Sequence, residues 1–216
     1  MTDKKFIQDS IVKQGILPLF YNQSTEVSIA ITQKLYEAGI RVIEYTNRGE
    51  AAIANFRALK KLDLPGLMLG IGTIKSADEA EAFIDAGADF LISPLVSHKV
   101  AAVVHKHNLL WIPGCMTPTE IHEAQELGAT FVKLFPANVL GQGFVSAVKE
   151  LFPGLLMMPT GGVEMDQENI SGWFKAGVSS VGMGSKLITK EIIDNKAYDQ
   201  LYTETLRALQ MVASAR

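Results

Sequence analysis

Short apolar runs alternate with amphipathic stretches along the whole chain, and a four-fold phrase organises them. Two residues, often acidic or small, precede a glycine, and a β-type run follows: Glu37-Ala-Gly-Ile-Arg-Val-Ile-Glu, Asp85-Ala-Gly-Ala-Asp-Phe-Leu-Ile, Glu126-Leu-Gly-Ala-Thr-Phe-Val-Lys and Lys175-Ala-Gly-Val-Ser-Ser-Val-Gly. Gly39, Gly87, Gly128 and Gly177 stand where a helix ends on a left-handed residue before a strand begins. They are 41 to 49 residues apart, more than one strand, one helix and two loops require. The missing strands lie between them, at Gly15-Ile-Leu-Pro-Leu-Phe-Tyr, Gly66-Leu-Met-Leu-Gly-Ile-Gly, Leu109-Leu-Trp-Ile-Pro and Leu155-Leu-Met-Met-Pro. From Ser76 to Ala86, the residues Ala77, Ala80, Phe83 and Ile84 share one helical face. Thr117-Pro118 reads as a cap and first turn.

Eight strands alternating with helices, each a short run apolar on both faces, predict a single-domain (β/α)8 TIM barrel spanning residues 1–216. An open doubly wound sheet is the alternative. Residues 1–14 predict an extra N-terminal helix, and 194–213 a last helix carrying Leu201, Leu206, Leu209 and Val212.

Composition narrows the function classes. The 216 residues are 48% hydrophobic and 20% charged, which excludes general disorder. Twenty Lys and Arg against 23 Asp and Glu leave no basic excess for nucleic acid. The single cysteine, Cys115, permits no internal disulfide and no CxxC zinc pair. A charged N-terminus without a secretory signal, and no apolar run of about 18 residues, predict a cytoplasmic protein with no membrane partner.

In such a barrel, chemistry gathers at the C-terminal strand ends. Those ends read Pro18, Glu44 to Arg48, Gly72-Thr73, Ser93-Pro94, Pro113-Gly114, Lys133 to Pro136, Pro159 to Gly162 and Gly182 to Ser185. Lys133 interrupts an apolar strand and shares its side with Phe131 and Phe135 by two-residue parity. Burial disfavours its ammonium form, and a neutral amine attacks a ketone to form a Schiff base; the plain alternative is a lysine reaching from the strand end to water. Glu44 and Arg48 are either an exposed ion pair or a proton shuttle and a two-pronged grip on a carboxylate. Thr73 follows Gly70-Ile-Gly, where backbone can approach a ligand or simply turn. Pro159-Thr-Gly-Gly and Gly182-Met-Gly-Ser end strands seven and eight, the phosphate-binding position of this fold. Neither matches a Walker A loop. His98, His105, His107 and His122 fall on helices or their starts and read as solvated or capping residues, with no metal-ligand spacing. Cys115 lacks a histidine base and reads as a half-buried structural thiol.

These residues resemble the bacterial 2-keto-3-deoxy-6-phosphogluconate / 4-hydroxy-2-oxoglutarate aldolase family from Gly15 to about Leu187. The resemblance rests on seven motifs in order: Glu44-Tyr-Thr-Asn-Arg48, Gly70-Ile-Gly-Thr73, Ile92-Ser-Pro94, Ile112-Pro-Gly-Cys-Met-Thr-Pro118, Val132-Lys-Leu-Phe-Pro136, Pro159-Thr-Gly-Gly162 and Gly182-Met-Gly-Ser185. It implies a class I, metal-free and cofactor-free homotrimeric lyase acting on a small keto-acid sugar phosphate. By the same resemblance Lys133 forms the Schiff base and Glu44 is the general acid/base. Arg48 and Thr73 hold the pyruvate carboxylate, Pro94 and Phe135 shape the pocket, and Thr160, Gly161, Gly162, Gly184 and Ser185 bind phosphate. Two departures touch substrate preference: Lys186 stands where relatives often carry an aromatic, and Cys115-Met116 replaces smaller residues. The implied reaction yields pyruvate and glyceraldehyde 3-phosphate, with 4-hydroxy-2-oxoglutarate as a further substrate. The alternatives are the galactonate epimer or a non-catalytic sugar-phosphate-binding barrel.

Overall fold

A computed structural model describes residues 3–216. It begins with α1 (Lys4–Gln14), β1 (Ile16–Phe20), α2 (Thr25–Glu37), β2 (Val42–Thr46), α3 (Ala52–Lys60), β3 (Met68–Gly72), α4 (Ala77–Asp85), β4 (Phe90–Ile92) and α5 (His98–Lys106). There follow β5 (Leu110–Ile112), β6 (Gly114–Cys115), α6 (Pro118–Glu126), β7 (Phe131–Leu134), α7 (Ala137–Val148), β8 (Leu156–Pro159), α8 (Gln167–Ala176), β9 (Val181–Met183), α9 (Lys190–Asp194) and α10 (Tyr198–Ser214). The helix expected over 1–14 is α1; Met1 and Thr2 lie outside the described residues.

Local chemistry accounts for these boundaries. Gly39, Gly87, Gly128 and Gly177 take φ values of 103°, 91°, 81° and 104° just beyond their helices. Ser76 caps α4 and Thr117 caps α6, each in a reciprocal box with Glu79 and Glu120 respectively. Pro118 opens α6 as expected.

Every strand pair is parallel, and the sheet curls. One six-stranded sheet runs β5-β4-β3-β2-β1-β9 and a three-stranded sheet runs β6-β7-β8. The order from β1 to β5 lacks the reversal of a doubly wound sheet. The fifth expected strand is two pieces, because Pro113 between β5 and β6 has no N–H for the ladder. Its carbonyl still accepts from the Lys133 N–H at 2.8 Å. Thr160 forms an isolated parallel bridge with Gly182, joining β8 to β9.

Strand parity divides the core. Leu17, Val42, Phe90, Ile92, Leu110, Ile112, Phe131 and Met158 pack together inside the curl, with Ile7 and Ile11 of α1 seated among them. Alternating neighbours such as Ile43, Leu91, Trp111, Val132 and Met157 pack outward against the helices.

Two expectations need correction. β1 runs through Phe20, so Pro18 lies inside the strand rather than at its end. The last helix, expected over 194–213, is α10, which starts at Tyr198 because Lys196 takes φ 49°, a left-handed conformation unsuited to a helix. The buried face of α10 is Leu201, Thr205, Ala208 and Val212, and Leu206 is exposed. Among the described residues no helix is long and apolar enough to cross a membrane.

Candidate active site

Glu44 on β2 and Lys133 on β7 occupy inward positions of the curl, two residues beyond the apolar Val42 and Phe131. Glu44 is 0% and Lys133 5% exposed, and Lys133 Nζ lies 3.6 Å from Glu44 Oε1. That separation sets the amine beside the carboxylate but exceeds a hydrogen bond, and neither carboxylate oxygen of Glu44 has a hydrogen-bond partner. A buried, unsatisfied carboxylate is costly to keep. Here it faces an amine, and a buried amine beside a carboxylate is a pair with the chemistry for nucleophilic attack and proton transfer. Gly72 on the neighbouring β3 makes this placement possible: a Cβ there would collide with the Glu44 carboxylate. The Phe135 ring centre is 5.4 Å from Lys133 Nζ.

The strand-end loops bring up further candidates. Arg48 is exposed beyond β2 and makes no ion pair with Glu44, which is buried inside the strand. The preceding Asn47 is tied to β3, its N–H donating to the Gly72 carbonyl at 2.9 Å. Thr73 sits at φ 65°, a region that a β-branched residue rarely adopts and that costs backbone energy. Pro94 is half-buried after β4, and its backbone lies so close to Gly114 that no side chain fits there.

A cavity of about 510 Å³ gathers Arg48, Phe135, Thr160, Gly161, Gly162, Gly184 and Ser185 into one wall system. Lys133, Glu44, Thr73 and Pro94 do not line it; Phe135 is the residue that meets both the cavity and the lysine. Gly161 and Gly162 have φ of 82° and 86°, and a Cβ on Gly162 would lie 2.7 Å from Asn138 Cα. Both positions therefore require glycine, and backbone rather than side chain forms this wall. The buried Thr160 hydroxyl has no hydrogen-bond partner.

Tyr21, Asn22 and Lys190 also line the cavity and were not anticipated. Ending the first strand at Pro18 hid Tyr21 and Asn22, which directly follow the true end of β1. Lys190 opens α9, a short helix before the expected 194–213 segment that was not read from the sequence. Asn22 is held by its backbone carbonyl, which accepts from Tyr45 Oη at 2.8 Å and Asn55 Nδ2 at 2.9 Å. Burial raises the Tyr45 hydroxyl above its ordinary value, so it stays a donor.

The remaining singled-out groups stand apart from the cavity. His98 pairs with Glu123 at 2.9 Å, His107 with Glu81 at 2.7 Å, and His105 meets the Leu127 carbonyl at 2.6 Å. Lys106 and His107 hold the Glu81 carboxyl below its ordinary value. Cys115 is fully rather than half buried, and burial pushes its thiol up to about 12, with Glu120 and Glu123 adding to the shift. Among the described residues no group of three His, Cys, Asp or Glu side chains could hold a metal ion.

The family model for KDPG and KHG aldolases (2-keto-3-deoxy-6-phosphogluconate and 4-hydroxy-2-oxoglutarate) matches residues 7–203. A 2-dehydro-3-deoxy-phosphogluconate aldolase of Treponema pallidum is 30% identical over 161 residues, covering 74% of this chain and 76% of that protein. A solved 4-hydroxy-2-oxoglutarate/phosphogluconate aldolase shares 31% identity at a TM-score of 0.83, covering 95% of this chain and 98% of the other. The KDPG aldolase of Legionella pneumophila, solved with pyruvate captured as a covalent carbinolamine, shares 25% identity at a TM-score of 0.85, over 93% and 96%. A chain matched from Ile7 to Thr203, with the motif lysine and glutamate facing each other inside the curl, belongs to the KDPG and KHG aldolase family of carbon–carbon lyases.

Proposed function

We propose that this chain cleaves 2-keto-3-deoxy-6-phosphogluconate to pyruvate and glyceraldehyde 3-phosphate through a Schiff base on Lys133. The observation that carries the reading is the buried Lys133–Glu44 pair, 3.6 Å apart, with Phe135 linking it to a cavity walled by two glycine loops. The Lys133 amine adds to the C2 ketone, and loss of water leaves a protonated imine. That cation accepts the electron pair of the C3–C4 bond as it breaks, while Glu44 takes the proton of the C4 hydroxyl. The aldehyde leaves, Glu44 returns a proton to C3 of the enamine, and hydrolysis frees pyruvate and the lysine. An enamine in place of a free carbanion is the source of acceleration, because the charge is neutralised as it develops.

In this reading Arg48 and Thr73 hold the pyruvate carboxylate, and Pro94 and Phe135 shape its pocket. The unpartnered Thr160 hydroxyl, the backbone N–H groups of Gly161, Gly162 and Gly184, and the Ser185 hydroxyl receive the phosphate. The strained Thr73 supports a functional constraint at that position. The reading includes one domain, an eight-stranded barrel whose closure is supported by the Thr160–Gly182 bridge, a cytoplasmic homotrimer, and 4-hydroxy-2-oxoglutarate as a second substrate.

Borohydride reduction in the presence of pyruvate, followed by peptide mapping, tests it. The adduct is expected on Lys133 and lost in Lys133→Ala; labelling of Lys75 or Lys186 overturns the assignment, and no adduct at all favours a binding protein. Initial rates on the gluconate and galactonate epimers decide the sugar. Activity should survive EDTA, since the imine is the electron sink; loss restored by a divalent cation would place the chemistry elsewhere.

A further inference from the structure

One charged contact at the cavity has no part in the proposed bond cleavage. Lys186 Nζ lies 2.9 Å from Glu164 Oε2, with side chains 54% and 43% exposed. Lys186 follows Gly184-Ser185 after β9, and Glu164 follows Gly161-Gly162 after β8, so the pair spans the two glycine loops. Lys186 lines the cavity, and Glu164 does not. The carboxylate has a fixed base: the Glu164 N–H donates to Asn169 Oδ1 at 3.0 Å, and Asn169 Nδ2 reaches the Gly162 carbonyl at 3.5 Å. The other ionisable groups on the cavity wall are Tyr21, Arg48, Lys190 and Asp194. Arg48 is assigned to the opposite, carboxylate end of the substrate.

An ion pair this exposed adds little to stability, so stability does not explain why a cation is held at this rim. We propose that Lys186 is a specificity residue for the phosphorylated end of the substrate. Before substrate binds, Glu164 holds the ammonium at the rim of the cavity, and the phosphate seated on the glycine loops takes it over. A phosphate monoester carries nearly two charges and three acceptor oxygens, against one charge on the carboxylate, and lysine serves phosphate as a movable point charge. Lys190 on α9 adds a second cation to the same wall. This inference rests on the aldolase reading for the identity of the substrate, and on the ion pair and the cavity for its chemistry.

Steady-state kinetics on the phosphorylated substrate and on its dephosphorylated form, 2-keto-3-deoxygluconate, provide the test. Lys186→Met should raise KM for the phosphorylated substrate about tenfold, with kcat changed far less, and should affect the dephosphorylated substrate much less. Glu164→Gln should leave that KM unchanged or lower it, because the competing anion is gone. If both variants raise KM equally on both substrates, the pair is a structural clasp and the proposal fails; it also fails if Lys186→Met changes neither. Calorimetric titration with glycerol 3-phosphate reads the same inference without turnover. Weaker binding in Lys186→Met and equal or tighter binding in Glu164→Gln are expected. Absence of pyruvate trapping in the parent protein would count against the aldolase reading, and the titration would still decide Lys186.

Discussion

Glycine at position 72 is as much a part of the site as the residues that carry charge. The Glu44 carboxylate occupies the volume that any larger side chain on Gly72 would claim. Gly72→Ala is expected to displace the carboxylate and lower kcat about a hundredfold, since ångström-scale misplacement has effects of that order. Far-ultraviolet circular dichroism should be unchanged; an unaltered kcat would mean that Glu44 does not act from this position. Cys115 gives a second residue-scale prediction. Its folded value of about 12 lies above the ordinary 9.0, so the folded chain keeps a proton that the unfolded chain loses in between. Stability should therefore fall as pH rises through that window, and Cys115→Ser should flatten the decline. Iodoacetamide at about pH 8 should label the thiol only after unfolding.

At the scale of elements, helix starts are built from paired side chains and phrased for acid sensitivity. Glu120 Oε2 accepts from the Met116 and Thr117 N–H groups at 2.7 and 2.8 Å at the head of α6. Burial pushes this carboxyl up, but the donors from Met116 and Thr117 outweigh it and hold the group below 4.5. A depressed carboxyl stabilises the fold above its unfolded value, and that contribution is lost as pH falls through the folded value. Thr117→Ala should lower stability by about 1 kcal/mol in denaturant titrations. Glu120→Gln should lose less stability than the parent protein on acidification from neutral pH; an identical acid slope would deny the box its role.

For the whole molecule, the curl needs a filled interior beneath the chemistry. Ile7 and Ile11 reach that interior from α1, at the opposite end from the strand-end loops, and both are fully buried. Ile11→Ala should destabilise the protein by about 3 kcal/mol through lost contacts and a cavity, with turnover of the folded fraction retained. A loss below about 1 kcal/mol would mean that α1 is an appendage rather than part of the core.

What the sequence determined by itself is whatever has a short period or a local chemical cause. The cap at Thr117, the helix beginning at Ser76, the glycine stops at 39, 87, 128 and 177, and the inward parity of Phe131 with Lys133 were all readable, because each depends on neighbours within a few residues. The motif residues were nameable as well, though their roles came from resemblance. Tertiary structure alone decided that Glu44 and Lys133 meet at 3.6 Å, since only the curl of the sheet joins strands so distant in the chain. It also placed Tyr21, Asn22 and Lys190 on the cavity wall and paired Lys186 with Glu164 across two loops. Those contacts have no local period: they depend on where separate strands end relative to one another, which is set by packing the inside of the sheet.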